Sequence, residues 1–180
     1  MFRGWHSWFG TFTGVVLLTV VMLPLAGLAV WVLARRRGDA GGTAWRMALA
    51  EVGIVYGTVP WVWMILLPGS RAGSVPGRVS LVPVHDLLTI VAAGPLRATV
   101  QIVGNLLVFA ALGFFAPIRF PALATVPRIL ALAAGCSVLV EVAQYVLRLD
   151  RVSSVDDVLL NAAGAGLAAL ASRRWWRDAG

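Results

Sequence analysis

Runs of about twenty mainly apolar residues recur along this 180-residue chain. A helix needs about that many to cross roughly 30 Å of hydrocarbon at 1.5 Å per residue. Five segments qualify: residues 12–34, 47–67, 101–118, 126–147 and 155–172. The fifth is the least apolar and is rich in Ala and Gly. The expected fold is therefore all-α: a polytopic membrane helical bundle of about five transmembrane helices, with residues 1–180 forming a single integral membrane domain. The first segment reads as a permanent helix and not a cleaved leader. Its apolar stretch outruns a normal leader core, and its positive cluster follows it instead of preceding it.

Composition supports this solvent. Charged residues make up 13% of the chain and hydrophobic ones 59%, against about 25% and 45–50% in ordinary soluble domains. That argues against a disordered chain and against an ordinary soluble enzyme. Fifteen basic residues, all Arg, face eight acidic ones, for a net charge of +7. Arg35-Arg36-Arg37 and Arg173-Arg174-Trp175-Trp176-Arg177 each abut an apolar run. The excess is read as membrane flanks, not as a nucleic-acid surface, because cytoplasmic loops carry surplus Lys and Arg. Five spans would put nine arginines (35, 36, 37, 46, 119, 128, 173, 174, 177) on one side and six (3, 71, 78, 97, 148, 151) on the other. The expectation is a cell-membrane protein with its N-terminus outside and its C-terminus cytoplasmic.

Several chemistries lack their residues. Cys136 stands alone within an apolar run, so neither an intrachain disulfide nor a thiolate cluster can form. His6 and His85 lie outside the apolar runs, which disfavours a haem held by two histidines, and no HExxH, Walker A, GxGxxG or GxSxG pattern occurs. The reading calls for no cofactor, no metal and no nucleic acid.

Residues 68–99 form the one long connection. Its first part, PGSRAGSVPGR, is turn-rich. Residues 80–91 are apolar but too short to span, as in an interfacial or re-entrant segment. They are expected to lie as a lid or partial plug over the outer end of the bundle.

Ionisable groups inside spans cost about 2.5–3.5 kcal/mol at the helix centre on insertion scales, so each calls for an explanation. Glu51 sits near the cytoplasmic end of the second span and is expected to snorkel or pair with Arg46. Glu141, Gln144 and Arg148 fall at i, i+3 and i+7 on one helical face, joined by Ser137 at i−4. Arg97, Gln101 and Asn105 recur every four residues in the third span. Asp157 and Asn161 are four apart in the fifth, and Gly164 and Ala168 continue that face, where small residues admit a neighbouring helix. Together with Arg151, Asp156 and the lid residues His85 and Asp86, these predict a mixed-charge polar patch near the outer leaflet. The candidate ligand-binding set is Glu141, Gln144, Arg148, Arg151, Asp156, Asp157, Asn161 and Asn105. Arg148 and Arg151 could clamp a phosphate or carboxylate. Glu141 and Asp157 could hold an ammonium or hydroxyl, or act as a base. The same polar groups could also serve only as packing glue between helices.

The stretch Glu141-Val-Ala-Gln144, followed by Arg151-Val-Ser-Ser-Val-Asp156-Asp157-Val-Leu-Leu-Asn161-Ala-Ala-Gly164, resembles the VanZ-like family of integral membrane proteins. That family places a Glu and Gln at the end of one helix, then an Arg, an Asp-Asp pair, an Asn and a Gly at the start of the next. Asn105-Leu-Leu-Val-Phe109-Ala-Ala-Leu-Gly113-Phe-Phe-Ala-Pro117 is similar to the family's Asn-x-x-x-Phe-x-Pro-x-Gly stretch, and Ser80-Leu-Val-Pro83 to its Asn-Leu-x-Pro segment. Ala111 and Ser80 depart from the family's usual Pro and Asn. The first would leave the third helix straight, and the second removes an amide from the lid. The resemblance covers about residues 81–170. It implies an envelope protein associated with resistance to teicoplanin-type glycopeptide antibiotics. Its expected partners are membrane lipids, a lipid-linked cell-wall precursor or the lipoglycopeptide itself.

Two function classes follow. In the first, an outward-facing polar pocket binds a lipid or cell-wall precursor headgroup without chemistry. In the second, the protein is an intramembrane enzyme acting on a lipid-linked or phosphorylated headgroup, with a carboxylate as base and arginines as the phosphate clamp. A transporter is disfavoured, because no inverted repeat or matched pair of broken helices is present.

Overall fold

The computed structural model describes residues 11–38 and 42–177. Arg3 and His6 lie outside the described residues. Long apolar runs become long helices: α1 (Phe12–Arg36), α2 (Gly42–Ile65), α4 (Pro95–Val108) continued by α5 (Ala110–Arg119), and α6 (Val126–Val146). These make four stretches long and apolar enough to cross a membrane, with α4 and α5 counting as one of 25 residues. The expected fifth span is α7 (Val155–Ala171), a helix of 17 residues and thus about 25 Å long at 1.5 Å per residue. The short α3 (His85–Ala92), a 3-10 turn at Pro121–Leu123 and α8 (Arg173–Arg177) complete the helices among the described residues.

The packing has the polarity of a bundle built for lipid. Its buried positions are held largely by small side chains, including Ala48, Ala50, Ala116, Ala133, Ala165 and Ala169. Larger residues such as Leu139 (70% exposed) and Val21 (65%) point outward. Exposed apolar surface costs roughly 25 cal/mol per Å² in water, but lipid tails carry no such penalty, and helices there associate through close approach of small residues. Gly113 and Gly164 mark the closest approach. A Cβ on Gly113 would strike the backbone of Ala165, and one on Gly164 would strike the backbone of Leu106. Span α4–α5 is thereby clamped to α7, and α6 packs along the other side of α7. The α1–α2 pair joins through contacts of α2 with α5 and α4.

Two expectations need correction. The third span is not continuous: helical geometry is interrupted at Phe109 (φ −113°, ψ 15°) although Ala111 replaces the proline. The break therefore does not depend on a proline ring. Glu51 does not pair with Arg46. Its carboxylate accepts from Arg37 Nη2 at 2.6 Å and Arg119 Nε at 2.5 Å, while Arg46 donates to the Trp175 carbonyl. Folding brings residues 14 and 68 positions away closer than the local helix neighbour. The structure adds a small parallel sheet that no alternation in the sequence announces. In it β1 (Arg78–Ser80) pairs with β2 (Val152–Ser154) in the register Arg78↔Val152, Val79↔Ser153 and Ser80↔Ser154.

That sheet fastens the long connection to the turn between α6 and α7. The turn-rich stretch before β1 is held to the same turn. Gly69 N–H donates to the Leu149 carbonyl and Gly73 N–H to the Arg148 carbonyl, both at 2.9 Å. Arg71 and Arg78 pair with Asp150 at 3.2 and 3.9 Å. Loss of water pushes the Asp150 carboxyl up, but hydrogen bonds from Arg71 and the charges of both arginines outweigh it and hold the group below its ordinary range.

Candidate functional site

The polar side chains converge at one end of the bundle, beside the β1–β2 pair. They line a cleft of about 850 Å³ whose walls come from α1, α2, α4, α6, α7 and the β strands. Its polar end is formed by Gln101, Asn105, Glu141, Gln144, Asp157 and Asn161, with Arg78, Asp150 and Arg151 at the mouth. Phe12, Val16, Trp61, Met64, Ile65, Val103 and Leu107 supply an apolar wall.

Each polar residue reaches the cleft for a local reason. Glu141 and Gln144 sit one turn apart near the end of α6 and are both buried. Glu141 Oε2 accepts the Ser154 N–H at 3.0 Å, and its backbone carbonyl accepts from the Ser153 hydroxyl at 2.9 Å. One carboxylate thus orients the chain entering α7. Gln144 Nε2 donates to the Ile65 carbonyl at 2.9 Å. Arg151 reaches the Leu67 carbonyl with long contacts of 3.4 and 3.5 Å. These two side chains serve carbonyls at the C-terminal end of α2, which its own helix leaves without partners.

The Asp-Asp pair divides its work, because adjacent helical residues point about 100° apart. Asp157 faces inward and accepts from Asn105 Nδ2 at 2.5 Å, tying α7 to α4. Asp156 faces α3: Oδ1 accepts the Val84 N–H at 2.5 Å and Oδ2 the Leu87 N–H at 3.0 Å. It caps the N-terminus of a helix that has no side-chain cap of its own. A carboxylate there satisfies orphan donors and suits the helix dipole. Asn161, one turn beyond Asp157 and only 1% exposed, donates through Nδ2 to Ser137 Oγ at 2.7 Å. Its Oδ1 is buried and accepts no hydrogen bond.

Of the eight expected residues, Asn105, Glu141, Gln144, Arg151, Asp157 and Asn161 meet in the cleft, and Asp156 instead holds helix α3, none of whose residues lines the cleft. Arg148 does not join them. Helix α6 ends at Val146, and Arg148 takes a left-handed turn (φ 51°) that turns the face away, leaving its side chain exposed. Ser153 and Ser154 are not legible as site residues, because what they contact is Glu141, twelve and thirteen positions away, through its backbone carbonyl and its carboxylate.

The expected lid segment forms helix α3, fastened to the start of α7 by Ser154 Oγ donating to Asp86 Oδ2 at 2.5 Å. That hydrogen bond is the main cause holding the Asp86 carboxyl below its ordinary range. Burial opposes it, and Ser80 and His85 add to it. A lowered folded value means this hydrogen bond contributes its full stability above the ordinary Asp value of about 3.9. The contribution is lost as pH falls through the lower folded value. Protection factors across His85–Ala92, which remove the intrinsic pH dependence of amide exchange, should stay constant from neutrality down to that range and fall below it, and Asp86→Asn should shrink the acid step.

The arrangement presents acceptors inward and guanidinium groups at the mouth. No group of three or more potential metal ligands occurs among the described residues. Comparisons with curated proteins and with solved structures each return no match. A family model does match: VanZ/LLP1, over residues 54–176, which runs from α2 through α8 and takes in all the polar cleft residues named above. The inward Glu and Gln of α6, the divided Asp pair, Asn161 and Gly164 stand within that match, and the chain belongs to the VanZ/LLP1 family.

Proposed function

We propose that this protein is a multi-pass component of the cell envelope that binds the headgroup of a membrane lipid or lipid-linked cell-wall precursor in the cleft. In this reading the cleft end faces outward, the N-terminus lies outside and the C-terminus is cytoplasmic, following the Arg excess at the opposite end. Binding there would reduce the access of teicoplanin-type glycopeptides to their targets, the association that family resemblance carries.

The observation that supports this most is the meeting of Asn105, Glu141, Gln144, Asp157 and Asn161, from three helices, in one cleft walled by apolar side chains. A headgroup bearing N–H or O–H groups finds acceptors there in the Glu141 and Asp157 side chains. Arg151 and Arg78 at the mouth suit a phosphate. Packing alone explains the Asn105–Asp157 and Gln144–Ile65 contacts, but not a space of about 850 Å³ left open beside them.

The test is protection of a susceptible host by wild type and by Glu141→Ala, Arg151→Ala and Asp157→Ala, each shown to insert at equal levels. Wild type should protect, and each variant should lose most of that protection. Equal protection by all four, or none by wild type, contradicts the reading.

A further inference from the structure

Helix α1 packs along α2 and makes sustained contact with no other described helix. The cleft is therefore bounded on that side by two helices that do not close on each other. Phe12 and Val16 of α1 stand across from Val100, Val103 and Leu107 of α4, and all five are exposed apolar residues lining the same space. A gap with such walls opens to lipid, not to water. Its inner end meets Asn105, Glu141, Asp157 and Asn161.

Gly104 lies on this wall, and its lack of a side chain has no packing cause. A Cβ at Gly113 or Gly164 would collide with the backbone of a neighbouring helix, whereas one at Gly104 meets nothing within 4 Å. Glycine within a helix costs roughly 1 kcal/mol relative to alanine. At Gly113 and Gly164 close helix approach offsets that cost. At Gly104, as at Gly27 and Gly135, a Cβ would enter open space, but of these three only Gly104 lines the cleft.

We infer that the cleft is loaded sideways from the bilayer through the gap between α1 and α4, past Gly104. We further infer that its occupant is a phosphate-linked amphiphile whose headgroup carries its own N–H or O–H donors. The hydrocarbon chain lies between Phe12, Val16, Val103 and Leu107, the phosphate meets Arg151, and the donors meet the acceptors at the inner end. A choline headgroup has the phosphate but no donors and is the excluded case. This rests on the headgroup reading above and adds the route and the chemical class.

The experiment places the full chain in phosphatidylcholine nanodiscs containing phosphatidylethanolamine with a photoreactive diazirine on its acyl chain, then maps adducts by peptide mass. Adducts should concentrate on residues 12–16 and 103–107, saturate, and be displaced by unlabelled phosphatidylethanolamine but not by added phosphatidylcholine. Gly104→Phe should cut their yield by about tenfold or more, since a ring in the passage removes the apolar contacts of the chain. Gly104→Ala should label as wild type, and thermal unfolding should show neither variant less stable than wild type. Adducts spread evenly over the outward faces of α1 and α2, or yield unchanged by Gly104→Phe, overturn the sideways route. Equal displacement by phosphatidylcholine overturns the donor requirement. Soluble glycerophosphoethanolamine separates the two readings. If it binds wild type and Gly104→Phe alike, with Asn161→Leu weakening it, while Gly104→Phe leaves labelling intact, the headgroup site stands and the lateral route falls. If neither lipid nor soluble headgroup binds, both fall.

Discussion

Gly164→Ala is expected to destabilise the bundle by about 3 kcal/mol, the upper end of what overpacking a well-fitted interior costs. The added Cβ would fall on the backbone of Leu106, an obstacle that no rotamer change can clear. Span α4–α5 must shift away from α7, which strains the neighbouring Asn105–Asp157 hydrogen bond. Helix propensity alone predicts the opposite sign, a gain of about 1 kcal/mol for Gly→Ala. Gly135→Ala supplies the comparison, because a Cβ at Gly135 in α6 meets nothing within 4 Å. Thermal unfolding in one detergent should show Gly164→Ala well below wild type and Gly135→Ala at or above it. A Gly164→Ala midpoint equal to that of wild type would mean that α4 and α7 do not approach as described.

Asp156→Ala should release helix α3 while leaving the long helices folded. The carboxylate accepts from two backbone amides at the start of α3, and the residue is 5% exposed. Hydrogen bonds to a charged group contribute about 1.5–3 kcal/mol each, and an exposed helix can recover part of that from water. Val84, a β-branched residue held at φ 69°, loses the anchor that maintains this uncommon conformation. A local loss of about 2–4 kcal/mol follows. Hydrogen exchange in residues 84–92 should accelerate by two orders of magnitude or more, with α6 and α7 protected as before. Asp156→Asn keeps only one acceptor and should fall between the two. Uniform acceleration throughout the chain would show instead that Asp156 supports the whole bundle.

The spans were legible because crossing hydrocarbon imposes a length and a composition that no nearby alternative satisfies. Glu141 and Gln144, at i and i+3, faced inward as helical geometry requires. Arg148 departed because the same spacing holds only while the helix continues, and α6 stops two residues earlier. The partners of Glu51 were hidden for a different reason: Arg46 was the neighbour in sequence, while Arg37 and Arg119 are neighbours only after α1, α2 and α5 pack. Three-residue strands show no alternation, so the β1–β2 clamp left no pattern to read. Asp156 was found as a residue but not in its role, because its partners are backbone amides, which look alike in every sequence. The shared cleft was readable from polar stripes on three spans; the unpaired acceptor of Asn161 and the open face at Gly104 needed coordinates.

The central claim is that amides and carboxylates from separate helices form one occupied headgroup site. An electron-microscopy reconstruction of the full chain in nanodiscs of native envelope lipids tests it most directly. It should show a headgroup-sized density in contact with Asn161, Glu141, Asp157 and Arg151, continuous with a tail emerging between α1 and α4. Side chains of Asn105, Glu141 and Asn161 turned outward to the acyl chains, with the space between α4, α6 and α7 closed by packing, would contradict it.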